Sequence, residues 1–311
     1  MVTVVFGARG NVGRHVADGL LAAGERVRAT SRTPEAAGLS PRLEVVAADL
    51  ERPETLPAAL EGAEKAFLYA KPDGARGFVE AARTAGVRHL VLLSSAAVVA
   101  GDAERNPIAR QHRAVEVAIE RSGIDWTFIR PGMFATNTLW WWRTPIRTEN
   151  VVRTPYPDAQ TAPVHEKDMA ALAVAALTRP GHGRQAYTVY GPDSLTLRRQ
   201  VEHIGEAIGR PIRLDVVSVE EARAELGRTI PPIGVETFLR QWAARDGTPA
   251  EVSAIVEEVT GRPGRTYAQW AADHAGDFRR PASSGAALGE LGVRRADVLA
   301  GQRGEVGGRG R

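Results

Sequence analysis

The sequence predicts an α/β protein, a Rossmann-type doubly wound parallel sheet followed by a smaller, mostly helical lobe. Short apolar runs alternate with segments of helical spacing from residue 2 to residue 131, which is typical of parallel strands joined by helices on both faces of a sheet. The first apolar run leads directly into three closely spaced glycines, and helical spacing dominates from about residue 165 onward. We expect the sheet domain at residues 1–155 and the lobe at 156–278, the two partly interleaved.

Six short runs rich in Val, Leu, Ile, Phe and Ala are the predicted strands. They read, in order, "VTVVF", "RVRATS", "LEVVAADL", "KAFLYA", "HLVLLSS" and "DWTFIRP". The first shows little polar alternation, which indicates a strand buried on both faces. Segments of helical spacing separate most of the runs, and the first of these ends at Gly24, in position to cap a helix.

The pattern loosens after the sixth strand. Residues 133–164 show no sustained period and carry three adjacent tryptophans and several prolines. Helical segments then follow from "HEKDMAALAVAALTRPG" to "TYAQWAADH", interrupted by the strand candidates "RQAYTVYGP" and "IRLDVV". The Gly-, Arg- and Ala-rich residues 279–311 are expected to form a flexible tail.

The composition excludes several kinds of site and partner. The chain has no cysteine, which rules out disulfides and cysteine-based zinc sites. "HEKDM" lacks the second histidine of a metalloprotease motif, and we expect no metal. Arginines are spread along the chain, so no nucleic-acid partner is expected. The chain opens without a basic leader, and its longest apolar stretch is shorter than the about 20 residues of a membrane span, so we expect a cytoplasmic protein without a membrane partner.

The stretch "FGARGNVGRH" lies between the first strand and the first helix. Gly7 can form the tight turn, Gly10 lets the backbone approach a pyrophosphate, and Gly13 allows close packing of helix on strand. Free N–H groups and the helix dipole favour an anion at this end of the helix. The spacing therefore predicts a dinucleotide site, with contacts from the residues between and beside these glycines, namely Arg9, Asn11 and Val12.

The end of the second strand bears on the choice of dinucleotide. A site for NAD usually has a carboxylate there, which accepts from the ribose 2′-hydroxyl. This strand ends at Ser31 and is followed by Arg32. A hydroxyl and a guanidinium suit a 2′-phosphate, so NADP is favoured, with Arg9 as a further contact. The alternative is an ordinary surface arginine.

Two further turns follow strands and contribute candidate cofactor contacts. Asp49 and Leu50 come after the third strand, where the turn can reach the adenine ring; a solvated turn aspartate is the alternative. Ala70 and Lys71 come after the fourth strand, where the lysine can approach the phosphates or the nicotinamide ribose. An exposed loop lysine is equally compatible with the sequence.

Taken together, several stretches resemble the NmrA-like branch of the atypical short-chain dehydrogenases/reductases. They are the glycine turn, "ATSRTP", "VVAADLERPETLPAAL", "HLVLLSSAAV", "SGIDWTFIRPGMFATN" and "EVTGRPGRTYAQWAADHA". Within that branch the chain is most similar to NADPH-dependent quinone reductase and triphenylmethane reductase-type members. The resemblance extends to about residue 278 and implies an NADPH-dependent oxidoreductase.

The resemblance also implies catalytic positions, with one departure from the classical pattern. Classical members use Ser, Tyr and Lys; here Ser95 matches the serine better than Ser94, which is placed among the cofactor contacts. The Tyr-x-x-x-Lys pair is absent, and its helix carries His112 and Glu116, which resembles the H-x-x-x-E of quinone reductase-like members. A histidine with a pKa near neutrality, oriented by Glu116, is expected to supply the proton, or water does. The alternative is an i,i+4 pair on a solvated helix.

The turn after the sixth strand carries the remaining candidates. By resemblance, Pro131 presents its backbone to the nicotinamide and Asn137 points toward the cofactor or substrate. The expected walls of the substrate pocket are Met133, Phe134, Trp140 and Trp141. For the tryptophans, packing within the lobe or at a dimer interface is the alternative.

The function expected from the sequence is hydride transfer from NADPH to a quinone or a conjugated or aromatic carbonyl compound. A non-catalytic dinucleotide-binding sensor is an alternative, because the Tyr-Lys pair is missing. A ketoreductase of secondary metabolism is another. The partner is a small aromatic or quinone-like molecule, and the protein is expected to be a monomer or a homodimer.

Overall fold

A computed structural model describes residues 2–36 and 38–280 of the chain. They form two compact units. The described residues of unit 1 fall in Met1–Arg130 and Ala173–Ala186, and those of unit 2 in Pro131–Leu172 and Tyr187–Ser284. The first segment of unit 1 thus ends before the predicted boundary at residue 155. A later segment, Ala173–Ala186, also belongs to unit 1. Nearly all of the predicted tail lies outside the described residues.

Eleven strands are present in the described residues. They are β1 (Val2–Val5), β2 (Arg26–Ser31), β3 (Glu44–Ala47), β4 (Ala63–Tyr69), β5 (His89–Leu93), β6 (Asp125–Pro131), β7 (Val151–Thr154), β8 (Gln160–Thr161), β9 (Gln185–Val189), β10 (Leu195–Thr196) and β11 (Arg213–Val216). Seven of them form one sheet in the order β3-β2-β1-β4-β5-β6-β9.

The central sheet has the predicted parallel topology. Strands β1 to β6 pair in parallel throughout. Strand β9 also runs parallel to β6, because Arg184 N–H bonds to the Trp126 carbonyl at one end and Gly132 N–H to the Val189 carbonyl at the other. The carboxyl ends of the strands therefore share one edge of the sheet, which is where open α/β sheets bind ligands.

The same described residues form twelve α-helices, which connect these strands or follow them. They are α1 (Gly13–Ala22), α2 (Leu56–Leu60), α3 (Pro72–Thr84), α4 (Pro107–Glu120), α5 (Asn137–Glu149), α6 (Glu166–Thr178), α7 (Leu197–Ile208), α8 (Val219–Leu226), α9 (Pro232–Ala244), α10 (Ile255–Thr260), α11 (Tyr267–Asp273) and α12 (Ala275–Phe278). The Rossmann-type fold class predicted from the sequence is confirmed.

The core of unit 1 lies between the sheet and its helices. All four residues of β1 are buried, as its unbroken apolar sequence predicts. Phe6 packs edge to face on Phe78 of α3, with ring centroids 5.3 Å apart. Each large apolar side chain buried in this way contributes about 1.5–3 kcal/mol.

The core of unit 2 is aromatic and is built around α5, a helix that the sequence did not predict. The helix buries Thr138, Trp141, Trp142 and Ile146, at positions i, i+3, i+4 and i+8 of one helical face. A polar threonine at the first of these positions and Pro145 inside the last turn obscure that pattern in the sequence.

Candidate active site

Two positions of the glycine turn in unit 1 favour glycine, Gly7 by its backbone conformation and Gly13 by the lack of space for a side chain. Gly7 has a φ of +74°, and its carbonyl accepts from Gly10 N–H at 2.8 Å. A Cβ on Gly13 would lie 2.2 Å from the Gly7 carbonyl oxygen, so any side chain there would push α1 away from the turn. The predicted roles of these two glycines in the turn and in helix packing match this geometry.

The amino end of α1 is open to an anion. Val12 holds the N-cap position and provides no side-chain cap. Arg14 N–H already bonds to the Gly10 carbonyl and His15 N–H to the Val12 carbonyl, so an anion here would be bound by the N–H groups that precede Arg14. Arg9, Gly10 and Asn11 are exposed beside them. Donors and helix dipole together form a cradle that fits a pyrophosphate.

The carboxyl end of β2 is tied to this turn and carries no acidic side chain. The Thr30 hydroxyl donates to the Val5 carbonyl at 3.5 Å, at the end of β1. The Ser31 hydroxyl oxygen accepts from Thr33 N–H at 3.1 Å, and Arg32 is exposed at the turn. Hydroxyl and guanidinium can both donate to phosphate oxygens.

The turn after β3 is more firmly structured than the sequence shows. Asp49 accepts from Glu51 N–H at 3.0 Å, which is the turn-aspartate geometry offered as the alternative to adenine binding. The Leu50 carbonyl approaches α3 so closely that a Cβ on Gly74 would lie 1.9 Å from it. Gly74 was missed by sequence reasoning, although a glycine in the first turn of a helix is a signal of close approach.

Lys71 is buried rather than exposed. Only 6% of its side chain is accessible, and its Nζ lies 3.0 Å from Glu51 Oε1. A buried ammonium needs such a partner. Tyr69, also missed from the sequence, lies against the glycine turn: a Cβ on Gly7 would come within 2.9 Å of its ring.

Two serines follow β5 and have different roles. Ser94 is buried, its N–H donates to the Ile129 carbonyl at 2.7 Å, and its hydroxyl donates to Glu116 at 2.6 Å. Ser95 is partly exposed and caps a short helix, where its oxygen accepts from Ala97 N–H at 3.2 Å. The hydroxyl hydrogen of Ser95 remains available to a ligand oxygen.

Glu116 does not lie on a solvated helix face. Its side chain is fully buried at 0% exposure and accepts from Arg130 Nε at 2.9 Å and Nη2 at 2.8 Å, in addition to Ser94. Arg113 Nη1 adds a longer contact of 3.2 Å. Sequence reasoning missed Arg130, which lies near the end of the largely apolar strand β6 and gives no sign of a partner on α4.

His112 is not oriented by Glu116 through a hydrogen bond. Its Nδ1 is buried and has no partner among the described residues. Burial lowers the pKa of His112 to about 4, although the Glu116 carboxylate acts in the opposite direction. The expectation of a pKa near neutrality is therefore wrong, and the imidazole is neutral at pH 7.

Within unit 2, the residues after β6 are held by the strand-like segment at Val164. Its N–H donates to the Met133 carbonyl at 2.8 Å, and Phe134 is bridged to it in parallel. Pro131 is buried, while Met133 and Phe134 are partly buried. Asn137 is the first residue of α5, partly buried, with its N–H bonded to the Phe134 carbonyl at 3.0 Å.

The three tryptophans divide between surface and core. Trp140 is partly exposed, as a pocket wall requires. Trp141 is only 3% exposed and packs edge to face on Phe238 and Trp242, with centroids 4.9 and 5.0 Å away. The structure thus gives Trp141 the packing role that the sequence offered as the alternative to a pocket wall, because α5 turns it into the core of unit 2.

Two features are absent from the residues that the structure describes. None of their helices is long and apolar enough to cross a membrane. They also contain no group of three or more His, Asp or Glu side chains that could hold a metal ion.

A parallel sheet with an open glycine cradle at its carboxyl edge defines a nucleotide-binding α/β protein. Residues 7–180 match the model of a family described as NAD(P)H-binding, and the chain belongs to that family.

Two reductases resemble the chain over most of its length. The (4-alkanoyl-5-oxo-2,5-dihydrofuran-3-yl)methyl phosphate reductase of Streptomyces griseus is 43% identical over 282 residues, which cover 88% of this chain and 98% of that protein. The NAD(P)H azoreductase of Xenophilus azovorans is 34% identical over 284 residues, with the same coverage of 88% and 98%.

Solved structures share the fold. Triphenylmethane reductase from Citrobacter sp. has a TM-score of 0.73 at 23% identity and covers 88% of this chain and 98% of its own. An NADPH-dependent quinone oxidoreductase from Escherichia coli has a TM-score of 0.72 at 25% identity and covers 88% and 99%. The predicted resemblance to these reductases is confirmed, and the chain is an NAD(P)H-dependent oxidoreductase.

Proposed function

We propose that the protein reduces a conjugated carbonyl compound, a quinone or an unsaturated lactone, with NADPH. The observation that carries this proposal is that α4 offers no strong proton donor. The helix lacks the Tyr-Lys pair, and the Nδ1 of His112 is buried without a hydrogen-bond partner among the described residues. Burial also lowers the pKa of this imidazole to about 4. Such a site suits an acceptor whose reduced form is a resonance-stabilised oxyanion, because that anion needs no strong proton donor.

The names of the relatives support the same acceptor class. The 5-oxo-2,5-dihydrofuran ring named for the Streptomyces griseus reductase is an unsaturated lactone with its carbonyl in conjugation. The quinone of the Escherichia coli oxidoreductase is also a conjugated carbonyl compound. In both acceptors, negative charge gained on reduction is delocalised onto oxygen.

The cofactor would be held along the carboxyl edge of unit 1. The cradle at Gly7 and Gly13 fits a pyrophosphate, and the groups after β2, Ser31 and Arg32, would bind the 2′-phosphate that distinguishes NADPH from NADH. When bound, NADPH supplies the hydride. Further contacts are assigned to Arg9, Gly10, Asn11, Val12, Asp49, Leu50, Ala70, Lys71, Ser94 and Pro131.

In unit 1, we assign Ser95 to donate its hydroxyl hydrogen to the carbonyl oxygen of the acceptor. In unit 2, the resemblance assigns Asn137 to the cofactor or substrate and assigns Met133, Phe134 and Trp140 to the wall of a substrate pocket. Because neutral His112 is a poor acid, the oxyanion is expected to take its proton from water.

The test is NADPH oxidation at 340 nm by the purified protein, with a panel of a benzoquinone, an alkanoyl dihydrofuranone with and without its phosphate, and a simple aryl ketone. NADH is run alongside. Turnover with NADPH and a conjugated acceptor, with the aryl ketone at least tenfold slower, is expected.

The matched variants are Arg32→Ala and Arg26→Ala, at opposite ends of β2. Arg32→Ala should raise the KM for NADPH by about 10- to 100-fold, because a guanidinium–phosphate pair is a charge-assisted contact, and leave NADH unaffected. Arg26→Ala should change neither. Equal use of NADPH and NADH by the wild type would contradict the assignment of the 2′-phosphate site. Preference for the aryl ketone would favour the ketoreductase alternative.

A further inference from the structure

The carboxyl ends of β5 and β6 are joined through a buried carboxylate on α4. Glu116 accepts two parallel hydrogen bonds from Arg130, at 2.9 and 2.8 Å, and a third from Ser94 at 2.6 Å. We name these three side chains the Glu116 cluster. Arg130 is 15% exposed and Glu116 is fully buried, so the contacts are little screened by water.

A cluster of this kind fixes geometry better than it adds stability. Removing two charges from water costs most of what their attraction returns, and apolar residues of similar volume commonly stabilise a fold as well. A two-point contact between a guanidinium and a carboxylate does, however, fix both side chains in distance and in plane. The Glu116 cluster therefore indicates a place where position matters.

The position that it fixes is that of Ser95. Ser94 belongs to the cluster through its side chain and is bonded to β6 through its N–H. Ser95 follows directly and is partly exposed. The Ser95 hydroxyl is therefore attached to a backbone segment that is held at Ser94 by hydrogen bonds to both α4 and β6. His112, although one turn from Glu116, takes no part in these contacts.

We infer that Arg130 and Glu116 are positioning residues for hydride transfer, which act by setting the Ser95 hydroxyl against the acceptor's carbonyl oxygen. This inference rests on the proposed function. It assigns a role to Arg130 and replaces the relay through His112 that the sequence suggested for Glu116. Displacement of a catalytic group by about 1 Å can cost about 100-fold in rate, so the cluster is expected to affect kcat far more than cofactor binding.

The test is a cycle of variants in which both charges are removed together, so that no buried charge is left unpaired. The double variant Glu116→Leu/Arg130→Met should melt close to the wild type. Its kcat should fall by about 10- to 100-fold, with KM for NADPH within twofold. Arg223→Met/Glu236→Leu, which removes a guanidinium–carboxylate pair on the surface of unit 2, is the control and should keep full activity.

Ser95→Ala is then combined with the double variant. If the cluster acts through Ser95, the triple variant should be no slower than Ser95→Ala alone. Once the Ser95 hydroxyl is gone, disturbing its position causes no further loss of kcat, so the two effects are not additive. A folded double variant with the kcat of the wild type, or losses that multiply in the triple variant, would overturn the inference. A wild type that fails to oxidise NADPH with any acceptor would overturn the proposed function itself, and the inference with it.

Discussion

His112 lies one turn before Glu116 on α4, and the two side chains differ in their hydrogen bonding. The carboxylate is satisfied by two arginines and a serine, whereas the imidazole has a buried nitrogen without a partner in the described chain. Because desolvation lowers the pKa of His112 to about 4, this histidine does not change its charge between pH 5.5 and pH 8.

The pH dependence of kcat/KM is the measurement that follows. We expect no histidine step between pH 5.5 and pH 8, and the same profile in His112→Gln, with a rate lowered by less than about tenfold, since a general acid typically contributes 100-fold or more. A wild-type step near pH 6.5 that disappears in the variant would contradict this and would restore His112 as the proton donor.

The residue scale also shows where sequence reasoning stops. The glycines of the first turn were predicted with their roles, because their spacing has one physical explanation between a strand and a helix. Arg130 and Lys71 were not, because their surroundings depend on partners brought together by the fold. A charged residue beside an apolar strand is exposed by default until its counter-ion is known.

At the scale of elements, α6 and the α11–α12 region are linked by a charged histidine. The His274 ring is 11% exposed and lies between Glu166 Oε1 at 2.7 Å and Asp277 Oδ2 at 2.9 Å. Burial alone would lower its pKa, but the hydrogen bonds to these two carboxylates outweigh burial and raise the pKa of His274 to about 9.

This link gives unfolding a defined pH dependence. The folded protein binds the proton more tightly than the unfolded chain, whose histidine titrates near 6.5, so the stabilisation is complete below pH 6.5 and is lost as the pH rises through about 9. On the order of 1–2 kcal/mol should be lost after allowance for solvent screening. Urea unfolding at pH 6 and pH 9.5 measures this difference in the free energy of unfolding.

The comparison variant is His274→Gln, which should be less stable than the wild type at pH 6 and should lose less stability on the way to pH 9.5. If His274→Gln and the wild type lose equal stability over this interval, other groups cause the loss, and the contact of His274 with Glu166 and Asp277 does not account for it.

Helix α5 shows what an element needs to be visible in sequence. Its buried positions have regular helical spacing, but one is Thr138, whose hydroxyl is satisfied by the Ala135 carbonyl and by Tyr267. Tyr267 lies 129 residues away along the chain. Since that partner makes a polar residue tolerable in the core, no local reading of hydrophobicity could place the helix.

At the scale of the whole molecule, the sheet was predictable because its first strand is buried on both faces and is therefore unbroken in its hydrophobicity, and because short apolar runs alternate with segments of helical spacing after it. The division of the chain into two units was less predictable from the sequence. The chain leaves unit 1 at Arg130 and regains it at Ala173, so β9 completes a sheet whose other strands come from the first 131 residues. The sequence suggested a boundary at residue 155 with the two parts partly interleaved, but the strand that returns to the sheet depends on long-range pairing and not on a local pattern.

The same view of the molecule predicts how cofactor binding affects stability. A ligand that binds the folded chain alone stabilises it by about 2.7 kcal/mol at 100 times its Kd, so NADPH should raise the melting temperature, and the Arg32→Ala variant should need more NADPH for the same shift.

Gly13→Ala should abolish the shift, because its Cβ would lie 2.2 Å from the Gly7 carbonyl oxygen and would open the cradle. Gly276→Ala is the matched control, since its Cβ would have nothing within 4 Å. The quantity compared is the shift with NADPH and not the melting temperature itself, so a general loss of stability in Gly13→Ala does not affect the result. An undiminished shift in Gly13→Ala would mean that the dinucleotide is held elsewhere in the chain.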